Sequence, residues 1–231
     1  MTSLSDAVPL SAHRDSLARY LAEVGSTFES VAGKIIAERL EPGFVRDPLR
    51  ACLLLWAACA NGGQLSDALP VAAAFDLFDR FMLLHDELAE GAGETAARWG
   101  VGQSLNAGDA LYAVAFRCLA ADAIVSRNRL DAARLAAEAV LAALESDPAQ
   151  SRRVLTAAAM EAGAVIAGAP PHAIAALRDA GRALAAAGES GDAAEAERLA
   201  ERAISLVRGC THGEAVDAFV EVARNVARRA A

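Results

Sequence analysis

The sequence predicts an all-α fold, and three observations carry that expectation. Alanine, leucine, glutamate and arginine dominate the 231 residues while β-branched and aromatic runs are scarce, so helix propensity is high nearly throughout. Glycine and proline punctuate the chain at 40–48 (LEPGFVRDP), 61–63 (NGG), 90–94 (EGAGE), 145–150 (ESDPAQ), 168–171 (GAPP), 188–192 (GESGD) and 208–213 (RGCTHG). No stretch alternates apolar and polar residues between turn signals as a strand would.

These breaks leave helical segments of about 12–28 residues, or roughly eight or nine helices. Their spacing is irregular and carries no repeated signature, so a globular bundle fits better than a helical-repeat array. The length suits one domain over 1–231, with two small domains as the alternative. The opening MTSLSDAVPL lacks a basic start followed by an apolar run, so no secretory signal is expected. Apolar residues make up 55% of the chain, but Arg or Glu interrupts them well short of the ~18 residues a spanning helix needs. A cytosolic (cytoplasmic) chain without a transmembrane segment is the expectation.

The segments from Pro70 to Glu90 and from Arg98 to near Arg127 carry long apolar faces and are expected at the centre of the bundle. Pro70 is expected in the first turn of its helix, where its missing N–H has no intrahelical partner in any case. The C-terminal GEAVDAFVEVARNVARRAA (213–231) reads as an amphipathic helix. Val216, Phe219, Val220 and Val226 form its apolar side and arginines lie at its end, as the helix dipole prefers. Core packing or a dimer contact suits it better than a membrane surface, because its basic residues are confined to one end.

The formal charge of −8 argues against a nucleic-acid partner. Cys52, Cys59, Cys118 and Cys210 lack CxxC spacing, so small core residues or helix fillers are the expectation for them rather than zinc ligands or disulfides. Lys34 is the only lysine, so a site that needs one has little to draw on. His13, His172 and His212 lie in or beside breaks and are expected at the surface. Trp56 and Trp99 are expected in the core.

The stretch LLHDELAE (83–90) closes an apolar helical run with His85, Asp86, Glu87 and Glu90 within one and a half turns. Asp86 and Glu90 are four apart and share a helix face, with Asp79 two turns back. Carboxylates so placed, without a basic partner, repel each other unless a cation neutralises them. Mg²⁺ is commonly held by one or two carboxylates, its other positions going to water or phosphate oxygens. The bland alternative is a solvated helix end. Further on, RWGVGQSLNAGDALYAVAF (98–116) sets Gln103, Asn106 and Asp109 at steps of three near one face. Buried polar side chains that tie helices together are the structural alternative there.

LLHDELAE followed by WGVGQSLNAGDAL resembles the trans-isoprenyl diphosphate synthase (polyprenyl synthetase) family. There one helix ends H-D-D-x-x-D and the next begins W-G-x-x-x-A-x-N-A-G-D. Upstream, DPLRACLLLWAACANGG (47–63) is similar to the family's G-K-R-x-R-P and the apolar helix closed by G-G. Downstream, residues 160–187 resemble its next helix pair, so the likeness covers about 46–187. The resemblance implies an all-α isoprenoid-synthase-like bundle, usually homodimeric. Its members ionise an allylic prenyl diphosphate held by Mg²⁺ on two facing acidic motifs, and the carbocation alkylates isopentenyl diphosphate. By this resemblance Asp86, Glu87 and Glu90 stand at the first metal motif, and Arg50, Arg98, Gln103, Asn106 and Asp109 are candidate substrate-binding residues. His85 is placed to orient one of the acids.

The departures are as informative. Asp47 stands where a lysine belongs, with Arg46 beside it, and Ser151 and Arg152 replace a Lys–Thr pair. The paired arginines after the first motif are absent, and the loop at 91–97 is shortened, leaving Arg98. The second acidic motif is missing. Asp192 and Glu195 are the nearest acids and read as the start of a charged helix with Glu195, Arg198 and Arg202 solvated. The chain is also shorter than typical members, which implies loss of the helix that bears that motif. Three functions follow: a Mg²⁺-dependent prenyltransferase or cyclase that uses an acceptor other than isopentenyl diphosphate; a catalytically silent homologue that binds prenyl diphosphate or partners a full-length synthase as a heteromer; or a helical interaction protein.

Overall fold

The computed structural model describes residues 8–26, 30–40, 48–91, 93–121 and 126–230. Among them are eleven helices: α1 (Val8–Gly25), α2 (Val31–Leu40), α3 (Leu49–Ala60), α4 (Leu65–Ala89), α5 (Glu94–Trp99), α6 (Val101–Leu119), α7 (Arg127–Leu144), α8 (Pro148–Ile166), α9 (Pro171–Glu189), α10 (Ala193–Arg208) and α11 (Glu214–Ala230). The described residues contain no strand, and no helix among them is long and apolar enough to cross a membrane.

The count of eight or nine is therefore too low. The expected long segment from Arg98 is divided at Gly100, whose φ of +82° only glycine adopts freely, so that a six-residue α5 precedes α6. That segment also stops at Leu119, short of Arg127. Pro70 lies inside α4 rather than in its first turn, because LSDAL adds a turn upstream from the extended Gln64. The carbonyl that Pro70 leaves without an intrahelical donor belongs to Ser66, which is exposed to solvent. His13, too, is half-buried within α1, and burial lowers its pKa below the usual 6.5. His172 and His212 are exposed, as expected.

Helix α3 is the axis of the fold, buried from Ala51 to Ala58. Leu54, Leu55 and Ala58 on one side join a core with α1, α2, α4, α6, α7 and α8. Cys52, Leu53, Trp56 and Ala57 on the other join a second core with α8–α11. Alanines and glycines make the close crossings. A Cβ on Gly163 of α8 would lie 2.3 Å from the Leu54 carbonyl oxygen of α3. In the second core Trp56 packs on Phe219 of α11, centroids 5.0 Å apart, and donates its indole N–H to the Ala215 carbonyl at 2.9 Å. Trp99 is half-buried against the first core.

Candidate active site

Helix α4 carries two acidic faces. Asp76, Arg80 and Glu87 fall on one line along it, and Asp79, Asp86 and Glu90 on another about 80° round the axis. The first line is structural. Asp76 is buried and receives Arg80 Nε at 2.5 Å, and Arg80 also donates to the Arg39 carbonyl. Burial pushes the Asp76 carboxyl above its usual range, while the Arg80 guanidinium pulls it back. Above that pair Arg39 of α2, itself buried, grips Glu87 through two bonds of 3.2 and 2.5 Å and donates to Thr95 of α5.

On the second line the side chains diverge. Asp79 pairs with Arg50 of α3, and Arg50 Nε also reaches Thr156 Oγ1 of α8 at 3.4 Å. Asp86 and Glu90 are exposed, with no ion pair among the described residues. They occupy the last turn and the C-cap of α4, which holds no basic residue. The negative end of a helix dipole disfavours a carboxylate there by about 0.3–1 kcal/mol each. Among the described residues no basic side chain compensates these two acids, and a divalent cation would do so. The donor set fits Mg²⁺, which takes one or two carboxylates and keeps several waters. It is a half-site, since no group of three metal-ligating side chains occurs among the described residues.

The remaining candidates are dispersed. Arg98 is exposed on α5, pairs with Glu38 of α2 at 3.3 Å and lies 5.1 Å over the Trp99 ring. It therefore stands on the α2–α5 side with Glu87, whereas Arg50 stands between α3, α4 and α8. Gln103, Asn106 and Asp109 are exposed on α6 rather than buried as helix ties. Asp109 comes within 3.7 Å of His85 Nε2, at the point where that ring covers Gly108. His85 also stacks on Phe81 at 4.5 Å, and so turns towards α6 and away from the face of Asp86. Asp47 and Arg46 lie outside the described residues.

At the α8–α9 side, Ser151 is buried and donates to the Ala143 carbonyl at 2.6 Å. Arg152 and Arg153 each donate Nε to one oxygen of Glu189 at 2.9 Å. Beyond Glu189 the chain turns directly into α10. Asp192 caps it by accepting the Glu195 N–H at 2.8 Å, and Glu195 pairs with Arg198 on the exposed side. Two cavities, of about 570 and 210 Å³, lie between α7, α8 and α9 around Glu161, away from Asp86, Glu90 and Arg50. Sequence reasoning missed the carboxylate partners of Arg39, Arg50 and Arg152. Only Asp76 and Arg80, four apart in an otherwise apolar helix, offered a signal of such pairing.

No family model matches the chain. Among curated proteins it is 45% identical over 76 residues to a geranylgeranyl diphosphate synthase of Mycobacterium tuberculosis, a match covering 30% of this chain and 22% of the relative. It is 31% identical over 159 residues to a short chain isoprenyl diphosphate synthase of Methanothermobacter thermautotrophicus, covering 58% of this chain and 49% of the relative. The matches thus span about half the length of these relatives or less. Among solved structures, a geranylgeranyl pyrophosphate synthetase from Geoglobus acetivorans superposes with a TM-score of 0.82 at 17% identity over 98% of this chain and 99% of that one. A polyprenyl synthase from Caulobacter crescentus, complexed with calcium and isoprenyl diphosphate, gives 0.79 at 20% identity over 99% and 98%. At those identities the structural likeness is one of fold.

Proposed function

We propose that the chain, which shares the all-α fold of solved prenyl diphosphate synthases and matches curated ones over part of their length, is a member of the trans-isoprenyl diphosphate synthase family that binds an allylic prenyl diphosphate through Mg²⁺ and transfers or cyclises the prenyl group. The observation that carries this reading is the pair Asp86 and Glu90, exposed at the negative end of α4 and without a basic partner among the described residues. A metal ion there would neutralise charge on the leaving diphosphate. Asp86 and Glu90 would hold it, and Glu87 would not, because Arg39 already holds Glu87. The salt bridge fixes the last turns of α4 against α2 and α5, which positions the two free acids. The Caulobacter crescentus neighbour, complexed with calcium and isoprenyl diphosphate, supports a divalent cation in this fold.

The second acidic motif has no counterpart in this reading, since Asp192 is spent as a helix cap and Glu195 on Arg198. A prenyl acceptor other than isopentenyl diphosphate follows from the arginines, which are matched to internal carboxylates. We further place the protein in the cytosol as a dimer or as a heteromer with a full-length synthase. The exposed Val101, Leu105, Tyr112 and Phe116 on one side of α6 support such a contact.

A second reading, the catalytically silent homologue, is favoured by the turns beneath Asp86. Ala72 and Phe75 on that line are buried in the core, and the cavities of about 570 and 210 Å³ lie elsewhere, around Glu161. The test is to incubate the protein with geranyl and farnesyl diphosphate and Mg²⁺ and measure inorganic diphosphate release. Mg²⁺-dependent release lost in Asp86→Asn supports the enzyme. Mg²⁺-dependent binding without release supports the silent homologue, and neither binding nor release overturns both.

A further inference from the structure

We propose that Asp79 is a built-in substitute for a substrate diphosphate, neutralising Arg50 from within and thereby excluding a second diphosphate from the site. The inference rests on the reading that Arg50 stands at a diphosphate position of a prenyl diphosphate-binding site. Arg50 reaches from the first turn of α3 to Asp79 on α4 and to Thr156 on α8, so its guanidinium is held at a three-helix junction. Its side chain is 21% exposed and that of Asp79 26%, so the junction is open enough for an anion to arrive. An unpaired guanidinium so placed is an anion site. Here the anion is covalently part of the chain and present at high effective concentration. A diphosphate that displaced it would also be left beside the freed Asp79 carboxylate, which repels it.

The same substitution recurs at α8. Arg152 and Arg153 share the two oxygens of Glu189, whose side chain is only 10% exposed. Arg50 is thus matched by one carboxylate of the chain, and Arg152 and Arg153 have one between them. The acceptor class that remains is one without a phosphate group: a neutral nucleophile, or an alkene within the prenyl chain itself.

The experiment is a calorimetric titration of isopentenyl diphosphate and of inorganic diphosphate in EDTA, so that metal-borne binding at Asp86 plays no part. Wild type and Arg50→Ala should respond equally weakly. Asp79→Asn, which keeps the size of the side chain, and Asp79→Ala should each bind about 10-fold tighter or more, the factor that one charge-assisted bond commands. Adding Arg50→Ala to either should abolish the gain. Thermal melts of both variants identify any that fails to fold, and the other then carries the test. The proposal is overturned if the folded Asp79 variants gain nothing, or if wild type binds either ligand and Arg50→Ala removes that binding. Because this readout is metal-free and uses no allylic substrate, it stands apart from failure of the Mg²⁺-dependent reading.

Discussion

Glu87 and Asp86 are adjacent in sequence and the structure gives them opposite fates, so replacing each separates scaffold from site. Glu87→Ala removes the carboxylate that takes two hydrogen bonds from Arg39, whose side chain is 5% exposed. Loss of one partner from a fully buried pair costs about 3–5 kcal/mol, and an exposed pair is worth about 0–1 kcal/mol. Glu87 is 30% exposed, and Arg39 keeps its bond to Thr95, so the loss lies between these limits, at about 2–3 kcal/mol. For a chain of this size that lowers Tm by roughly 5–10 °C. Asp86→Asn removes charge repulsion at an exposed helix end and should leave Tm unchanged or slightly raised. Circular dichroism melts at 222 nm and urea titrations read both. Equal melting of the two variants would refute the division of the motif into one structural acid and two free ones.

Other positions test the packing and the electrostatics. Phe219→Ala empties the contact with Trp56 in the second core and should cost about 3–5 kcal/mol in urea unfolding. Gly163→Ala drives a methyl group into the Leu54 carbonyl and the Ala57 methyl of α3 and should cost at least about 1–3 kcal/mol by the same assay, since neither a carbonyl nor an alanine Cβ can swing aside. Burial raises the Glu161 carboxyl above its ordinary 4.5, with Arg178 only partly opposing it. A raised folded-state value means that the group's contribution is fully present below 4.5 and is lost as pH rises through that value. Glu161→Gln should therefore melt above wild type at pH 7, and the difference should vanish as pH falls below 4.5.

The sequence revealed helix breaks better than charge partners, and the reason is physical. Breaks are local: Asp147 before Pro148 caps α8, and Gly168 at φ +68° ends the helix before Pro170 and Pro171, all readable within four residues. Helix counting failed where the signal was a single glycine, at Gly100. The start of α4, expected at Pro70, lies a turn earlier, because an exposed Ser66 carbonyl tolerates the proline within the helix. Asp86 and Glu90 were legible because residues four apart share a face whatever the fold. Glu87 was not, because its partner Arg39 lies on another helix and only tertiary packing brings the two together. The same holds for Asp79 with Arg50 and for Glu189 with Arg152 and Arg153.

The most direct test of the central claim, that Asp86 and Glu90 form a live half of a metal–diphosphate clamp, is a calorimetric titration of farnesyl diphosphate into wild type with and without Mg²⁺, repeated on Asp86→Asn and Glu87→Gln. The account predicts binding that requires Mg²⁺, is lost in Asp86→Asn and survives in Glu87→Gln. Binding that ignores Mg²⁺, or that Asp86→Asn leaves intact, would contradict it.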